Sequence, residues 1–435
     1  MLRKRVRAAG VAVLLAVAMV VPTAAATPAN ETTVDVIVVL NAAPGASVAA
    51  QNRAAAAAVA ADYGLAAKWT YGTALVGFAA SVPEARLAAL EADPRVAYVD
   101  TDDVYTVIGA HTGGAEPQTS NGQTVPWGIS RTGADTNPNE GTGIQVYVID
   151  TGIDSDHPDL AANIGNGFAA TPCRGRGCNE RWDDDHGHGT HVSGTIGAID
   201  NTIGVLGMAS EVTLHAVKVC TRAGRCSGSD IIAGIDWVAQ DVAANGYGGQ
   251  AVVNMSLGGG GSKTGTCTSG GFTGSDAEHE AICNATNGGV VFAVAAGNSG
   301  ADAAGSIPAA YDDTVITVSA TMEGDDWPSW SNWGDDPADW TTNDSAPVAI
   351  AAPGVSVLST WNDGGYNTIS GTSMASPHVA GAIALYLASN PQAADYSAFT
   401  NARAALLGAA EETSGNFSNT SGNPHDEDFL DAGGL

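Results

Sequence analysis

The 435-residue chain reads as an α/β protein. Residues 123–435 have the pattern of a three-layer sandwich with a mostly parallel central sheet, preceded by a small α+β unit of ferredoxin-like order. Three observations lead there. β-branched apolar runs recur through the later part of the chain, apolar at successive positions, as strands covered by helices on both faces must be. Stretches of helical character alternate with those runs. Ahead of them, residues 34–107 run strand, helix, strand pair, helix, strand.

Taken in order, the chain opens with Arg3, Lys4, Arg5 and Arg7, the apolar stretch Ala8–Val21 and the small residues Ala24-Ala25-Ala26. This is the layout of a secretory signal peptide over residues 1–26, cut near Ala26. Its apolar stretch, about 14 residues, is short of the roughly 20 that span a bilayer. The expected product is a secreted, extracellular protein with no membrane attachment once the signal is removed. Residues 27–110 form the small unit. VDVIVVL (34–40) has strand composition, Ala46–Tyr63 is Ala-rich and helical, and Trp69–Val82 holds one or two strands. Pro83–Glu91 is a helix with proline at its start, and Val96–Val107 is a last strand. The Gly-, Pro- and Thr-rich stretch Gly109–Thr124 has the look of an exposed linker, with 111–122 as its body. Then come IQVYVID (144–150), LHAVKV (214–219), AVVNMSL (251–257), GVVFAVAAGN (289–298), TVITVSA (314–320) and PVAIAAP (347–353). In such a sheet, functional residues gather at strand ends and in the adjoining loops.

Six cysteines fall along the chain as Cys173 and Cys178, Cys220 and Cys226, and Cys267 and Cys283. An even number in an exported protein points to disulfides, and three local loops is the simplest arrangement, although spacing alone does not choose it. The formal net charge of −29, nearly all of it beyond residue 110, argues against a nucleic-acid partner. The acidic stretch Glu323–Asp344 holds Trp327, Trp330, Trp333 and Trp340, and reads as a surface loop that buries its indoles.

Three runs carry chemistry: VIDTGID (Val148–Asp154), HGHGTHVSGT (His186–Thr195) and GTSMASPHVAG (Gly371–Gly381). They offer a carboxylate, an imidazole and a hydroxyl. A serine hydroxyl is a poor nucleophile until an imidazole removes its proton and a buried carboxylate holds that imidazole in the right tautomer. Together the runs resemble the motifs of the subtilisin-type serine proteases (subtilases) over roughly residues 123–435. The unit before them is similar to that family's inhibitory propeptide.

The resemblance implies a subtilisin-like fold and a self-processing serine endopeptidase working through an acyl-enzyme. By motif match, Asp150 is the acid, His188 the base, Ser373 the nucleophile and Asn298, in AAGN, the oxyanion donor. His191 is left with a packing or hydrogen-bonding role. Substrate is expected to lie extended between two edges, Ser227-Gly228 and Ser256-Leu257-Gly258. A structural Ca²⁺ is implied, held by the side chains of Gln123, Asp159 and Asn201 and the carbonyls of Ile199, Ile203 and Val205, a set of hard oxygen donors. The partners are protein or peptide substrates and the chain's own propeptide, whose processing falls around Tyr105–His111. The mature enzyme is expected to be a monomer. Two other readings use the same residues: a peptide ligase or macrocyclase, and a non-catalytic binding protein whose leader never leaves.

Overall fold

The computed structural model describes residues 32–107, 111–116, 122–175, 177–334 and 347–435. The expected signal peptide and Trp340 lie outside the described residues. In chain order the small unit holds β1 (Thr33–Leu40), α1 (Ala49–Asp62), β2 (Trp69–Tyr71), β3 (Gly77–Pro83), α2 (Glu84–Glu91), β4 (Val96–Thr101) and β5 (Val104–Val107). The larger unit starts with β6 (His111–Glu116), α3 (Trp127–Arg131), β7 (Gln145–Asp150), β8 (Ile164–Ala169), α4 (His188–Gly197) and β9 (Thr213–Lys218). It continues with β10 (Arg225–Ser227), α5 (Gly228–Asn245), β11 (Ala251–Met255), β12 (Leu257–Gly260), β13 (Thr266–Thr268), β14 (Gly271–Thr273) and α6 (Ala277–Thr286). The last elements are β15 (Val290–Ala295), β16 (Ser306–Ile307), β17 (Val315–Thr321), β18 (Val348–Pro353), β19 (Val357–Trp361), β20 (Gly365–Ser370), α7 (Thr372–Ser389) and α8 (Ser397–Ala409).

The large sheet runs β18-β17-β15-β11-β7-β9-β8, and every neighbouring pair is parallel. Alternation along each strand divides its side chains between two cores. Val146 and Val148 of β7 join Val192 and Ile196 of α4 and Val379 and Ile383 of α7 on one face. Tyr147 and Ile149 join Ile231, Ile235 and Val238 of α5 and Ala281 and Ile282 of α6 on the other. The result is the expected three-layer α/β sandwich. β8 and β9 lie on one side of β7 and the later strands β11, β15, β17 and β18 on the other, so the connection order reverses across β7, and Asp150 sits at the C-terminal end of that strand.

The small unit is a four-stranded antiparallel sheet, β2-β3-β1-β4. Val36, Val38, Phe78 and Val82 close a core with Ala56 and Val59 of α1 and Leu90 of α2. The opposite face, with Ile37, Val39 and Ala79, shares the apolar cluster of α5 and α6. Both faces of this sheet are therefore covered, one by its own helices and one by the larger unit. Polar contacts fix the seat: Asp236 of α5 accepts from the backbone N–H of Gly72 (3.2 Å), Thr73 (2.6 Å) and Ala74 (2.8 Å) and pairs with Arg53 at 2.7 Å.

Two expectations change. Val96–Val107 is not one strand: β4 stops at Thr101, and β5 leaves that sheet to pair with β10 and β12. The break falls where Asp102 Oδ1 accepts from Ser229 N (2.7 Å) and the Asp103 carbonyl accepts from Gly228 N (2.8 Å). The unpaired N–H groups opening α5 draw the chain out of its own sheet. The second change concerns the linker, since His111–Glu116 forms a strand along β20 rather than an open connection.

All six cysteines are paired, Cys173–Cys178, Cys220–Cys226 and Cys267–Cys283, as three local loops. Trp327 is buried, stacked on His425, while Trp330 and Trp333 are half-buried. No helix among the described residues is long and apolar enough to cross a membrane.

Candidate active site

Asp150 ends β7 and His188 opens α4, and both are fully buried. His188 Nδ1 lies 2.9 Å from each carboxylate oxygen of Asp150. An ionised carboxylate can only accept, so Nδ1 carries the proton and Nε2 is the lone-pair nitrogen of the neutral ring. That Nε2 has no hydrogen-bond partner among the described residues. Glycines allow the approach: Gly152 turns the chain after the acid at φ 112°, and a Cβ on Gly189 would stand 2.1 Å from the Gly152 carbonyl oxygen.

Ser373 is the second residue of α7. Its Oγ donates to the Ser256 carbonyl at 3.1 Å, and Ser256 Oγ donates back to the Ser373 carbonyl at 2.9 Å. The return bond follows from Pro377. A helical residue at 377 would donate its N–H to the carbonyl four positions earlier, but proline has none, and Ser256 supplies the missing donor. Asn254 extends the tie, donating to Ser256 Oγ (3.0 Å) and accepting from Ser376 Oγ (2.8 Å). Asn298 follows β15. Its Oδ1 accepts from Thr372 N (2.9 Å) and Thr372 Oγ1 (3.0 Å), which leaves the NH₂ as its donor end beside the start of α7.

The two expected edges flank one strand. β5 runs antiparallel between β10 and β12, with Val104 opposite Ser227, Tyr105 opposite Cys226, Thr106 opposite Arg225 and Gly258, and Val107 opposite Leu257. Ser227 belongs to β10, whereas Gly228 is the first residue of α5 and reaches the incoming chain through its N–H. The Cys220–Cys226 disulfide closes the turn into β10. Tyr105 is buried, and its Oη donates to Glu278 Oε2 at 2.6 Å. Burial pushes the Glu278 carboxyl up to about 8, helped by Asp276, Asp100 and Asp103.

Gln123, Asp159, Ile199, Asn201 and Val205 are brought together, while Ile203 joins them through its N–H, which donates to Asn201 Oδ1 (2.6 Å), and not through its carbonyl. Gln123 Nε2 donates to the carbonyls of Ile199 (2.7 Å) and Val205 (3.1 Å), and its Oε1 accepts from Asn201 N (3.2 Å). Asn201 Nδ2 donates to Asp159 Oδ1 at 2.8 Å, and Val205 N donates to Asp159 Oδ2 at 2.8 Å. Asp159 is buried, which raises its pKa. The donor set fits a hard cation: two carbonyls already converge on the positive end of an amide dipole beside a buried carboxylate. Among the described residues there is no group of three His, Cys, Asp or Glu suited to a metal, so any cation here would depend on carbonyl and amide oxygens.

Sequence reasoning missed several supporting residues. Asp184 accepts from Thr151 Oγ1 (2.9 Å), His186 N (2.9 Å), Gly187 N (2.9 Å) and Thr190 Oγ1 (2.7 Å), fixing the loop that presents His188 to Asp150. Asn332 braces the Asn298 turn, accepting from Ser299 N (2.9 Å) and Ala301 N (3.1 Å) and donating to the Ala296 carbonyl (2.9 Å). Asp184 lies in the run Asp183–Asp185, and position in that run does not tell which carboxylate turns inward. His191 is buried, within 3.0 Å of the Val357 carbonyl and 3.2 Å of that of Asn367, and desolvation lowers its pKa to about 3.

The chain is similar to several known proteins. The extracellular serine proteinase of Thermus sp. (strain Rt41A) is 39% identical over 333 residues, covering 74% of this chain and 69% of that protein. Subtilisin E of Bacillus subtilis (strain 168) is 38% identical over 319 residues, covering 72% and 71%. The crystal structure of a cold-adapted subtilisin-like serine proteinase superposes with a TM-score of 0.55 at 34% identity, covering 70% of this chain and 97% of that one. Residues 141–426 match the description of the subtilase family, Peptidase_S8. This chain therefore belongs to the subtilases, and is a serine endopeptidase of that family.

Proposed function

We propose that the protein is a secreted, self-processing endopeptidase in which Asp150, His188 and Ser373 are the triad and Asn298 is an oxyanion donor, with residues 27–110 as its propeptide. The observation that supports this most is the seat of β5, which lies as an added strand between β10 and β12, in line with the edge that exchanges hydrogen bonds with Ser373. A substrate peptide would take the same place.

His188 Nε2 removes the proton from Ser373 Oγ as that oxygen attacks the carbonyl carbon of the bound peptide. The oxygen of the tetrahedral intermediate receives hydrogen bonds from Asn298 Nδ2 and the Ser373 N–H at the start of α7. The C–N bond breaks, the amine leaves with the proton from His188, and Ser373 carries the acyl group. Water, deprotonated by the same nitrogen, releases the acid and restores Ser373. Asp150 keeps the imidazole in one tautomer and stabilises its charged form throughout.

The first substrate is the chain's own connection beyond Val107, cut within residues 108–111, after which the leader strand stays as an inhibitor. Several relatives are named extracellular or alkaline proteases, in line with export of this one. A Ca²⁺ held by Gln123, Asp159 and Asn201 with the carbonyls of Ile199, Ile203 and Val205 would tie the mature N-terminal segment to the loop after α4. Its contribution is structural, and the working form is a monomer.

The test is labelling by a serine-directed fluorophosphonate, alongside cleavage of a peptide library read by mass spectrometry. The wild-type protein labels at Ser373 and cuts peptides, and Ser373→Ala does neither. Labelling at another serine would overturn the assignment.

A further inference from the structure

Along β5 the side chains alternate, as a strand requires. Val104 is 56% exposed, while Tyr105 is 3% exposed and points into the larger unit. Its ring shares an apolar cluster with Ile232, Leu257 and Ile307. The walls are close-fitting: a Cβ on Gly259 would come within 3.3 Å of the ring, and one on Gly228 within 3.5 Å. At the bottom stands Glu278, itself only 4% exposed. Its Oε2 accepts the Tyr105 hydroxyl at 2.6 Å, while its Oε1 has no partner among the described residues.

A carboxyl group in that position has a chemical consequence. An apolar pocket floored by apolar atoms would accept leucine, phenylalanine or tyrosine by size. With a carboxyl group as its floor, a leucine or phenylalanine that covers the pocket leaves both oxygens without a partner from the substrate. A side chain that fills the walls with an aromatic ring and carries a donor at its far end gives one of those oxygens its partner. A site built to receive a hydroxyl rejects the analogue lacking it more strongly than an apolar site rejects a missing methylene.

We propose that Glu278 makes this pocket selective for tyrosine, so that the protease prefers substrates carrying tyrosine at the position Tyr105 occupies in the cleft strand. The inference rests on the reading of β5 as a substrate-like strand. It adds a specificity-determining residue that touches the substrate far from the bond being cut. Tyr98 makes a comparable bond to Glu280 (2.5 Å) from β4, but β4 belongs to the leader's own sheet, so that contact grips the leader alone.

The experiment uses the mature wild-type enzyme and peptides copying residues 101–112, with tyrosine, phenylalanine, leucine or lysine at position 105. Cleavage at the common bond is followed by mass spectrometry. The expected kcat/KM for tyrosine exceeds that for phenylalanine by about three- to tenfold, the range of one hydrogen bond to an uncharged partner. In Glu278→Leu the ratio falls to near one because phenylalanine is cut faster. Equal rates for tyrosine and phenylalanine in the wild type would overturn the proposal, as would lysine exceeding tyrosine or an unchanged ratio in Glu278→Leu. The wild-type comparison needs no variant, so it decides the matter even if Glu278→Leu does not mature. Fluorophosphonate labelling run alongside separates the two readings: a protein that labels and cuts all four peptides equally loses only the tyrosine selectivity, whereas one that neither labels nor cuts loses the catalytic reading.

Discussion

Ser256 and Ser373 exchange hydrogen bonds, each hydroxyl donating to the other's backbone carbonyl, at 2.9 and 3.1 Å. The proposed substrate edge and the proposed nucleophile are thus held in one reciprocal contact. The Ser373 carbonyl is available for it because Pro377 cannot donate within α7. Ser256→Ala is expected to lower stability by about 1–3 kcal/mol, the cost of a buried acceptor left without a donor. Pro377→Ala should recover part of that loss in the double variant, since residue 377 then has an N–H to offer. Denaturant melts of the four proteins in a Ser373→Ala background give the coupling, and purely additive effects would show that the two residues do not share this carbonyl.

Asn298 has two ends with different jobs. Its oxygen is held by Thr372, and its NH₂ is the proposed oxyanion donor. Asn298→Leu removes both and should lower kcat by about 10²–10³ with little change in KM. Asn298→Asp keeps the acceptor for Thr372, so it should hold its melting temperature better than the leucine variant while remaining as poor a catalyst. Near-normal turnover in either variant would remove Asn298 from the chemistry.

Calcium should act on stability alone. Chelation is expected to lower the melting temperature, and Asp159→Asn should be less stable and no longer respond to added Ca²⁺. At free Ca²⁺ a hundredfold above the dissociation constant the stabilisation is about 2.7 kcal/mol. Thermal melts with EDTA and with graded Ca²⁺ measure it, and a wild-type melting point indifferent to both would exclude the site.

Acid should destabilise the fold through its buried imidazoles. His191 is lowered to about 3 and His378 to about 4, in each case mainly by desolvation, against an unfolded value of about 6.5. The native state keeps both rings neutral, so the unfolded state binds more protons as pH falls below about 6.5. The stability these rings contribute is full above that pH and is lost as pH falls toward 4 and 3. In a Ser373→Ala background, His191→Gln should be less stable at pH 7.5 yet decline less steeply between pH 7.5 and 4.5. Parallel declines would show that His191 does not titrate in this way.

Much of this was legible in the chain, and the unread parts share a cause. Strands such as 144–150 and 251–257 announce themselves through local composition, and the motifs around Asp150, His188 and Ser373 carry their own chemistry. The order of elements in the small unit was equally local. What escaped depends on distant partners. The break at Asp102-Asp103 needs the N-terminus of α5, more than a hundred residues away, and nothing near Val104 foretells that it changes sheets. Asp184 is indistinguishable in composition from its acidic neighbours, and Asn332 resembles any loop asparagine until its contacts with Ala296, Ser299 and Ala301 are known. Glu278 looks like an ordinary first-turn acid, since only the fold sets a tyrosine hydroxyl against it.

The central claim, that the last strand of the small unit lies in the cleft and leads into this enzyme's first substrate, is tested most directly by the N-terminal sequence and intact mass of purified precursor over time. Wild-type protein should release its leader by a cut within residues 108–111, at a rate independent of protein concentration, while Ser373→Ala remains one chain. A Ser373→Ala precursor that cuts itself at the same bond, or a folded wild-type precursor that never does, would contradict the account.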